Sequence, residues 1–383
     1  MKLTTAGVGI GFEKQIVGIV TTNPLQPVQR LNRILVSDLL PEDLSGYRGA
    51  LTTGDIGHRH LTTPAVHRAR EIDHLRSEDI IVMEPTSGFV RSLYRPAEMH
   101  NSIFVTERCN SNCIMCSQPP KDRDDTEELT ERNLELIQLV NPIPEYLTIT
   151  GGEPTLLGDK LFEMLAALRD RMPNTAIHIL TNGRRFAWSD FTRQFAAIGH
   201  PRLSLGVPLY SDVATDHDYV VQAKDAFDQT IMGLHNLARW GQRVEIRVVL
   251  HAQAVSRLPE LAEFIYRNLT FAEHIALMGL EYIGYTPRNI DLLWVDPYDY
   301  QDQLVDAVRI LRQRSMNVSI YNHQLCVLRP DLWRYAKKSI SDWKNIYLDE
   351  CTDCGARNEC GGFFKWATKV HSAHIHPIEV PSC

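Results

Sequence analysis

No apolar run in this 383-residue sequence reaches the roughly 20 residues that a bilayer-spanning helix needs. The opening MKLTTAGVGIGFEKQ runs into charge before a signal-peptide core forms, so a cytoplasmic chain that does not enter a membrane is expected. Long blocks of one charge are missing too. The formal net charge of −7 is spread along the chain, which gives no general attraction for nucleic acid or an anionic lipid surface. Repeats and low-complexity segments are absent. What remains is a globular composition, long enough for one large or two unequal domains with a sizeable core.

Cysteine is scarce, and its placement is uneven. Of eight cysteines, Cys109, Cys113 and Cys116 form one cluster and Cys351, Cys354 and Cys360 another, with Cys326 and Cys383 on either side of the second. A reducing compartment disfavours structural disulfides, so clustered thiols at short spacing read as metal ligands.

Residues 1–100 carry short apolar runs such as QIVGIV and DIIVMEPTSGFVRSLYR, separated by turns, and predict a small β-rich N-terminal domain. Gly7, Gly9 and Gly11 of GVGIG are strand and turn glycines, because no helix signal follows them. From 101 to 298 the pattern changes. The strand candidates SIFVT, YLTITG, AIHILTNG, RLSLGVPLY, RVEIRVVLH and HIALMGLEYIG alternate with amphipathic segments such as LTERNLELIQLV and KLFEMLAALRDRM. Six β-then-α units predict an α/β fold with a parallel sheet, either open or curled into a partial barrel. Residues 299–383 contain a helix, DPYDYQDQLVDAVRILRQRSM, then a strand, SIYNHQLCVL, with Cys326 near its end, and finally a cysteine-rich extension.

In parallel α/β sheets the loops at the C-terminal ends of the strands carry the site. The motifs obey this rule: the first cysteine cluster follows SIFVT, GGEP follows YLTIT, and TNG closes AIHIL. Three thiolates within eight residues can take three corners of an iron–sulfur cubane, leaving one iron open to a ligand. A zinc site would need a fourth ligand that the loop lacks.

The spacing Cys-x3-Cys-x2-Cys over Cys109, Cys113 and Cys116, followed by Gly151-Gly152-Glu153-Pro154, resembles the radical S-adenosylmethionine (SAM) superfamily over roughly residues 102–290. Met115 departs from the aromatic residue often found before the third cysteine. The resemblance implies a partial (β/α)6 barrel and a [4Fe-4S] cluster whose open iron chelates SAM. It also implies that the GGEP segment (Gly151, Gly152, Glu153, Pro154) receives the methionine amine. Thr181 and Asn182 suit a ribose or the methionine moiety, or build only an Asn-Gly turn. Ser204 and Arg247 are candidates for ribose hydroxyls and the SAM carboxylate, the latter through the arginine fork, with a structural ion pair as the alternative for the strand arginine. Met278-Gly279-Leu280 is a candidate adenine edge, with ordinary barrel core as the alternative.

CTDCGARNEC resembles the abbreviated SPASM, or twitch, extension of radical SAM peptide-modifying enzymes. An auxiliary [4Fe-4S] cluster on Cys326, Cys351, Cys354 and Cys360 is preferred, with zinc as the alternative metal and Cys383 as the alternative to Cys326. His371, His374 and His376 are read as a solvated tail. His217, Asp218 and Tyr210 are candidate substrate contacts or structural groups. The strings LGVPLYSD, HDYVVQ, AFDQT, GLHNLARWGQRVEIRVVLH and CGGFF resemble the radical SAM maturases of the His-Xaa-Ser system (HxsC type). The resemblance implies reductive cleavage of SAM to a 5′-deoxyadenosyl radical and hydrogen abstraction from a peptide or small-protein substrate. A companion maturase and an electron donor such as flavodoxin or ferredoxin are the implied partners. The alternatives are a radical SAM enzyme acting on a small molecule and a non-catalytic SAM-binding assembly subunit.

Overall fold

The computed structural model describes residues 2–56, 62–338 and 345–379. Two compact units are present: Met1–Phe104 with Thr126–Thr148 and Glu163–Thr175, and Val105–Asp125 with Ile149–Phe162 and Ala176–Cys383.

The first unit begins with short strands: β1 (Thr4–Ala6), β2 (Val8–Ile10), β3 (Ile16–Thr21), β4 (Arg33–Val36), β5 (Gly49–Leu51), β6 (Ala65–His67), β7 (Ile80–Met83) and β8 (Phe89–Tyr94). Their order in the sheet is β1-β8-β7-β3-β4-β5-β6-β2. β1 and β2 stand at opposite ends of that order, yet only Gly7 separates them, so one bent N-terminal strand closes the sheet on itself. The glycines of GVGIG make the bend and the close approach possible. A Cβ on Gly7 would lie 2.3 Å from the carbonyl oxygen of His67, and one on Gly9 2.3 Å from that of Pro85, both far inside contact distance. Val20, Ile34, Leu51, Val66, Ile81 and Met83 fill the core.

The expected alternation follows: β9 (Asn101–Phe104), α1 (Thr126–Leu139), β10 (Tyr146–Thr150), α2 (Asp159–Arg171), β11 (Ala176–Leu180), α3 (Ser189–Ala197), β12 (Leu203–Pro208), α4 (Ala214–Val221), α5 (Ala226–Arg239), β13 (Arg243–Leu250), α6 (Ala252–Val255), α7 (Leu258–Asn268), β14 (His274–Gly279), α8 (Ile290–Leu293) and α9 (Gln301–Gln313). β15 (Val318–Tyr321) and the two-residue β16 (Ala336–Lys337) complete a sheet of order β16-β15-β14-β13-β12-β11-β10-β9. Each neighbouring pair from β11 to β16 is parallel. The α/β class and its six β-then-α units are as the sequence leads one to expect, and this sheet does not close. Helices bury the stripe their spacing dictates; on α9 it is Leu304, Ala307, Val308 and Leu311.

The strand carrying SIYNHQLCVL is shorter than expected. It ends at Tyr321 because Asn322 takes a left-handed conformation, φ 62°. Cys326 therefore sits in a turn closed by the Val327 amide on the Gln324 carbonyl, 3.1 Å. Among the described residues, no helix is long and apolar enough to cross a membrane.

Three histidines of the second unit, His217, His251 and His323, are almost completely buried. Burial lowers each pKa to about 4, and neither ring nitrogen of His251 has a hydrogen-bond partner. An unfolded histidine protonates near pH 6.5, so between pH 6.5 and 4 the unfolded chain binds protons that the fold refuses. Their contribution is complete above pH 6.5 and is lost as the pH falls, by about 1.4 kcal/mol per pH unit for each histidine. The melting temperature is expected to fall steeply between pH 6.5 and 5, and a flat profile there would contradict this assignment.

Candidate functional site

The loop from Arg108 to Cys116 has little regular structure, and its backbone is clipped on several sides. Its base is tied by Asp125, which accepts from the Thr106 hydroxyl at 2.6 Å and the Glu107 amide at 2.7 Å. In the middle, the amides of Asn112 and Ile114 donate to the carbonyls of Val221 and Val220 at the end of α4, each 3.0 Å. Beyond it, the Asn289 side chain donates to the Ile114 carbonyl at 2.7 Å and the Tyr285 amide to the Cys116 carbonyl at 2.9 Å. Gly284 permits this approach, since its Cβ would fall 2.1 Å from the Cys116 carbonyl oxygen. Ile114 and Met115 pack with Tyr210, Val220, Val221, Ala226 and Leu293. The thiols of this irregular loop are thus held by its surroundings.

Cys109, Cys113 and Cys116 all line one cavity of about 290 Å³. Burial, joined by the Glu153 carboxylate, pushes the Cys109 thiol up to about 11. Burial and the other two thiols push Cys113 higher still, and burial raises Cys116. Ionising three such thiols together requires a cationic centre. An iron–sulfur cluster provides one, so the donor set fits the group the sequence implies.

Gly151, Gly152, Thr181, Asn182, Arg247, Met278, Gly279 and Leu280 line the same cavity. The chain folds tightly at Gly152, where a Cβ would meet the Arg108 carbonyl oxygen at 2.0 Å. Glu153 and Pro154 stand behind the wall. The Glu153 carboxylate is fully buried and accepts from the Thr155 amide at 3.0 Å, the Thr155 and Thr181 hydroxyls at 2.6 Å each, and the Asn182 amide at 2.6 Å. Burial raises its pKa in spite of these bonds. Its role in the fold is a strut joining the GGEP turn to the end of β11.

Ser204 also lies off the cavity, its hydroxyl 2.9 Å from Nδ1 of His178. The Asn182 side chain donates to Oδ1 of Asn110 at 2.6 Å and accepts from the Arg184 amide at 3.1 Å, bracing the cysteine loop. Sequence reasoning missed Arg184, which reaches the Asn110 carbonyl and the Ser111 hydroxyl; only its place beside the Asn-Gly turn hints at this. Tyr210 lines the cavity. His217 accepts from the Tyr210 amide at 3.3 Å, and Asp218 caps α5 through the Phe227 amide at 2.8 Å, both structural contacts.

The C-terminal thiols lie near enough to one another for their charges to interact. Charge on Cys360 and Cys351 raises Cys326, and charge on Cys360 and Cys354 raises Cys351, after burial in each case. Backbone amides point at the sulfurs. Cys360 receives those of Leu325 at 3.4 Å and Gly362 at 3.5 Å, and Cys354 that of Ile378 at 3.3 Å. Such amides stabilise a thiolate and tune an iron–sulfur centre. All seven described cysteines are free, and among the described residues no group of three His, Cys, Asp or Glu side chains is gathered for a single metal ion. Cys383 lies outside the described residues. The tail bearing His371, His374 and His376 is exposed but anchored, with His374 stacked on Tyr298 at 3.8 Å and the Ala373 amide on Asp296 at 3.0 Å.

A parallel (β/α)6 domain with three thiols and a diglycine turn at the C-terminal ends of its strands defines a class of protein. Residues 103–265 match the family model of the Radical SAM superfamily, so the chain carries a radical SAM domain. It is similar to the Fe-coproporphyrin III synthase of Methanosarcina barkeri, 27% identical over 221 residues that make up 56% of this chain and 53% of that protein. It is also similar to the mycofactocin maturase MftC of Mycobacterium tuberculosis, 27% identical over 205 residues, or 52% of this chain and 48% of that one. The chain thus spans about half the length of these curated relatives. A solved structure of Streptococcus suis SuiB bound to S-adenosylmethionine aligns with a TM-score of 0.48 and 17% identity over 63% of this chain and 54% of that one.

Proposed function

We propose that this chain is a radical SAM enzyme that modifies a ribosomally made peptide or small protein. The observation that carries the reading is the convergence of Cys109, Cys113 and Cys116 on one cavity shared with Gly151 and Gly152, inside a radical SAM domain. The three thiolates hold a [4Fe-4S] cluster, and SAM fills the rest of the cavity. A cluster held by Cys109, Cys113 and Cys116 would supply one-electron reduction of SAM, the chemistry that yields methionine and a 5′-deoxyadenosyl radical for hydrogen abstraction. The chain's own residues bind and orient. Gly151 and Gly152 bring backbone polar groups to the methionine amine, with Glu153 and Pro154 fixing their turn. Thr181 and Asn182 face the ribose and methionine, Arg247 takes the carboxylate, and Met278-Gly279-Leu280 meets the adenine. Ser204 supports that wall from behind.

An auxiliary [4Fe-4S] cluster on Cys326, Cys351, Cys354 and Cys360 belongs to the same reading, with zinc as the competing occupant. In functional terms residues 1–100 form an accessory β domain, 101–298 the catalytic core and 299–383 the auxiliary extension. A companion maturase and a flavodoxin or ferredoxin donor complete the proposal. The similarity to a maturase supports a peptide substrate. The similarity to an Fe-coproporphyrin III synthase favours a small-molecule substrate as the second reading.

The test is anaerobic reconstitution, followed by iron and sulfide analysis and by measurement of 5′-deoxyadenosine on adding dithionite and SAM. About eight irons per chain with 5′-deoxyadenosine released is the expected result. A loaded first cluster with no SAM cleavage would sink the enzyme reading and favour an assembly subunit. Zinc with about four irons would make the C-terminal site structural.

A further inference from the structure

Arg247 is held by a polar belt beneath the cavity that the proposed reaction does not use. Burial alternates along β13: Val244, Ile246, Val248 and Leu250 are buried, whereas Glu245, Arg247 and Val249 share the other face. Arg247 and Val249 line the cavity. Glu245 lies on the same face, two residues further from the C-terminal mouth. Parallel register brings side chains from four more strands beside it. One Glu245 oxygen accepts from Nη1 of Arg247 at 2.7 Å and stands 3.6 Å from Nε2 of His178 on β11; the other lies 2.7 Å from Nδ1 of His274 on β14. The far nitrogens of the two imidazoles meet hydroxyls, His178 that of Ser204 on β12 at 2.9 Å and His274 that of Ser319 on β15 at 3.0 Å.

This arrangement fixes the guanidinium. Its Nη2 lies 3.1 Å from the sulfur of Met278. Gly206 leaves the room it occupies, since a Cβ there would sit 2.7 Å from Nε2 of His178 and 2.9 Å from Cδ of Arg247. Burial pushes the Glu245 carboxyl up, but the polar contacts from His178 and His274 and the charge of Arg247 outweigh it and hold the group well below the usual carboxylate range. Glu245 therefore faces Arg247 as a carboxylate. An arginine on an unbranched stem loses rotamer freedom when it grips a carboxylate. A partner that fixes it beforehand removes that cost at binding.

We propose that Glu245, flanked by His178 and His274, is a positioning residue that presents Arg247 to the carboxylate of SAM. This rests on the reading that SAM occupies the cavity. The experiment is equilibrium dialysis of SAM, and separately of decarboxylated SAM, against the anaerobically reconstituted full chain and its E245Q, R247A and E245Q/R247A variants. Iron content and melting temperature are followed in each.

R247A and E245Q are each expected to weaken SAM binding about tenfold, as fits the loss of one charge-assisted contact. The double variant should bind no more weakly than R247A. Decarboxylated SAM should bind the wild type and E245Q equally. E245Q that binds SAM like the wild type, that weakens both ligands alike, or that adds its full loss to that of R247A would overturn the inference, the last two by marking a structural role. If the wild type, with its first cluster loaded, binds neither ligand, the SAM reading itself falls and the inference with it.

Discussion

Cys113→Ala is expected to reduce 5′-deoxyadenosine formation to the level seen without protein. Cys113 is the member of the set whose thiol burial pushes furthest from ionisation, so it gains most from a cationic partner. The loop's own fold does not depend on that thiol. Its backbone is held by amide and carbonyl contacts to Val220, Val221, Tyr285 and Asn289, which alanine leaves intact. The loss should therefore appear in chemistry and iron content, with about four irons fewer per chain, while the melting temperature of the metal-free chain moves little. Alanine at Cys109 or Cys116 should behave alike. Undiminished SAM cleavage in any of the three would defeat the site.

The second large effect concerns the C-terminal set. The double variant Cys351→Ala/Cys354→Ala is expected to lower the iron content from about eight to about four per chain while part of the SAM cleavage survives. Modification of the substrate should be lost. The two effects separate because the first three thiols share a cavity that contains no residue of the C-terminal set. Metal analysis and 5′-deoxyadenosine release, measured on the same preparations, tell the outcomes apart. Unchanged iron in the double variant would remove the auxiliary cluster, and zinc in the wild type would assign the set to structure.

The strands and their order of use are legible in the sequence because alternating short apolar runs and amphipathic segments leave few solutions. The cysteine loop is legible because thiols at that spacing have few other uses. Orientation is not legible. Glu153 reads as a charge available to a ligand, yet hydroxyl and amide donors on Thr155 and Thr181, and the Asn182 amide, take up its oxygens. Period-two alternation says that Ser204 shares a strand face but not what lies above it, and the answer is His178. The apolar neighbours of Cys326 suggest a strand, but the left-handed Asn322 ends that strand earlier. The belt around Glu245 is assembled from five strands, and only RVEIRVV, with charges alternating through an apolar run, hints at it.

The bend at Gly7 has a consequence for how the first unit behaves toward other chains. A strand at the margin of a sheet presents unpaired amides and carbonyls on which a second chain can add. Here β1 covers the free side of β8 and β2 that of β6, so those two sides are not left open. One residue joins the two covers, and without its bend both margins would be open to aggregation at once.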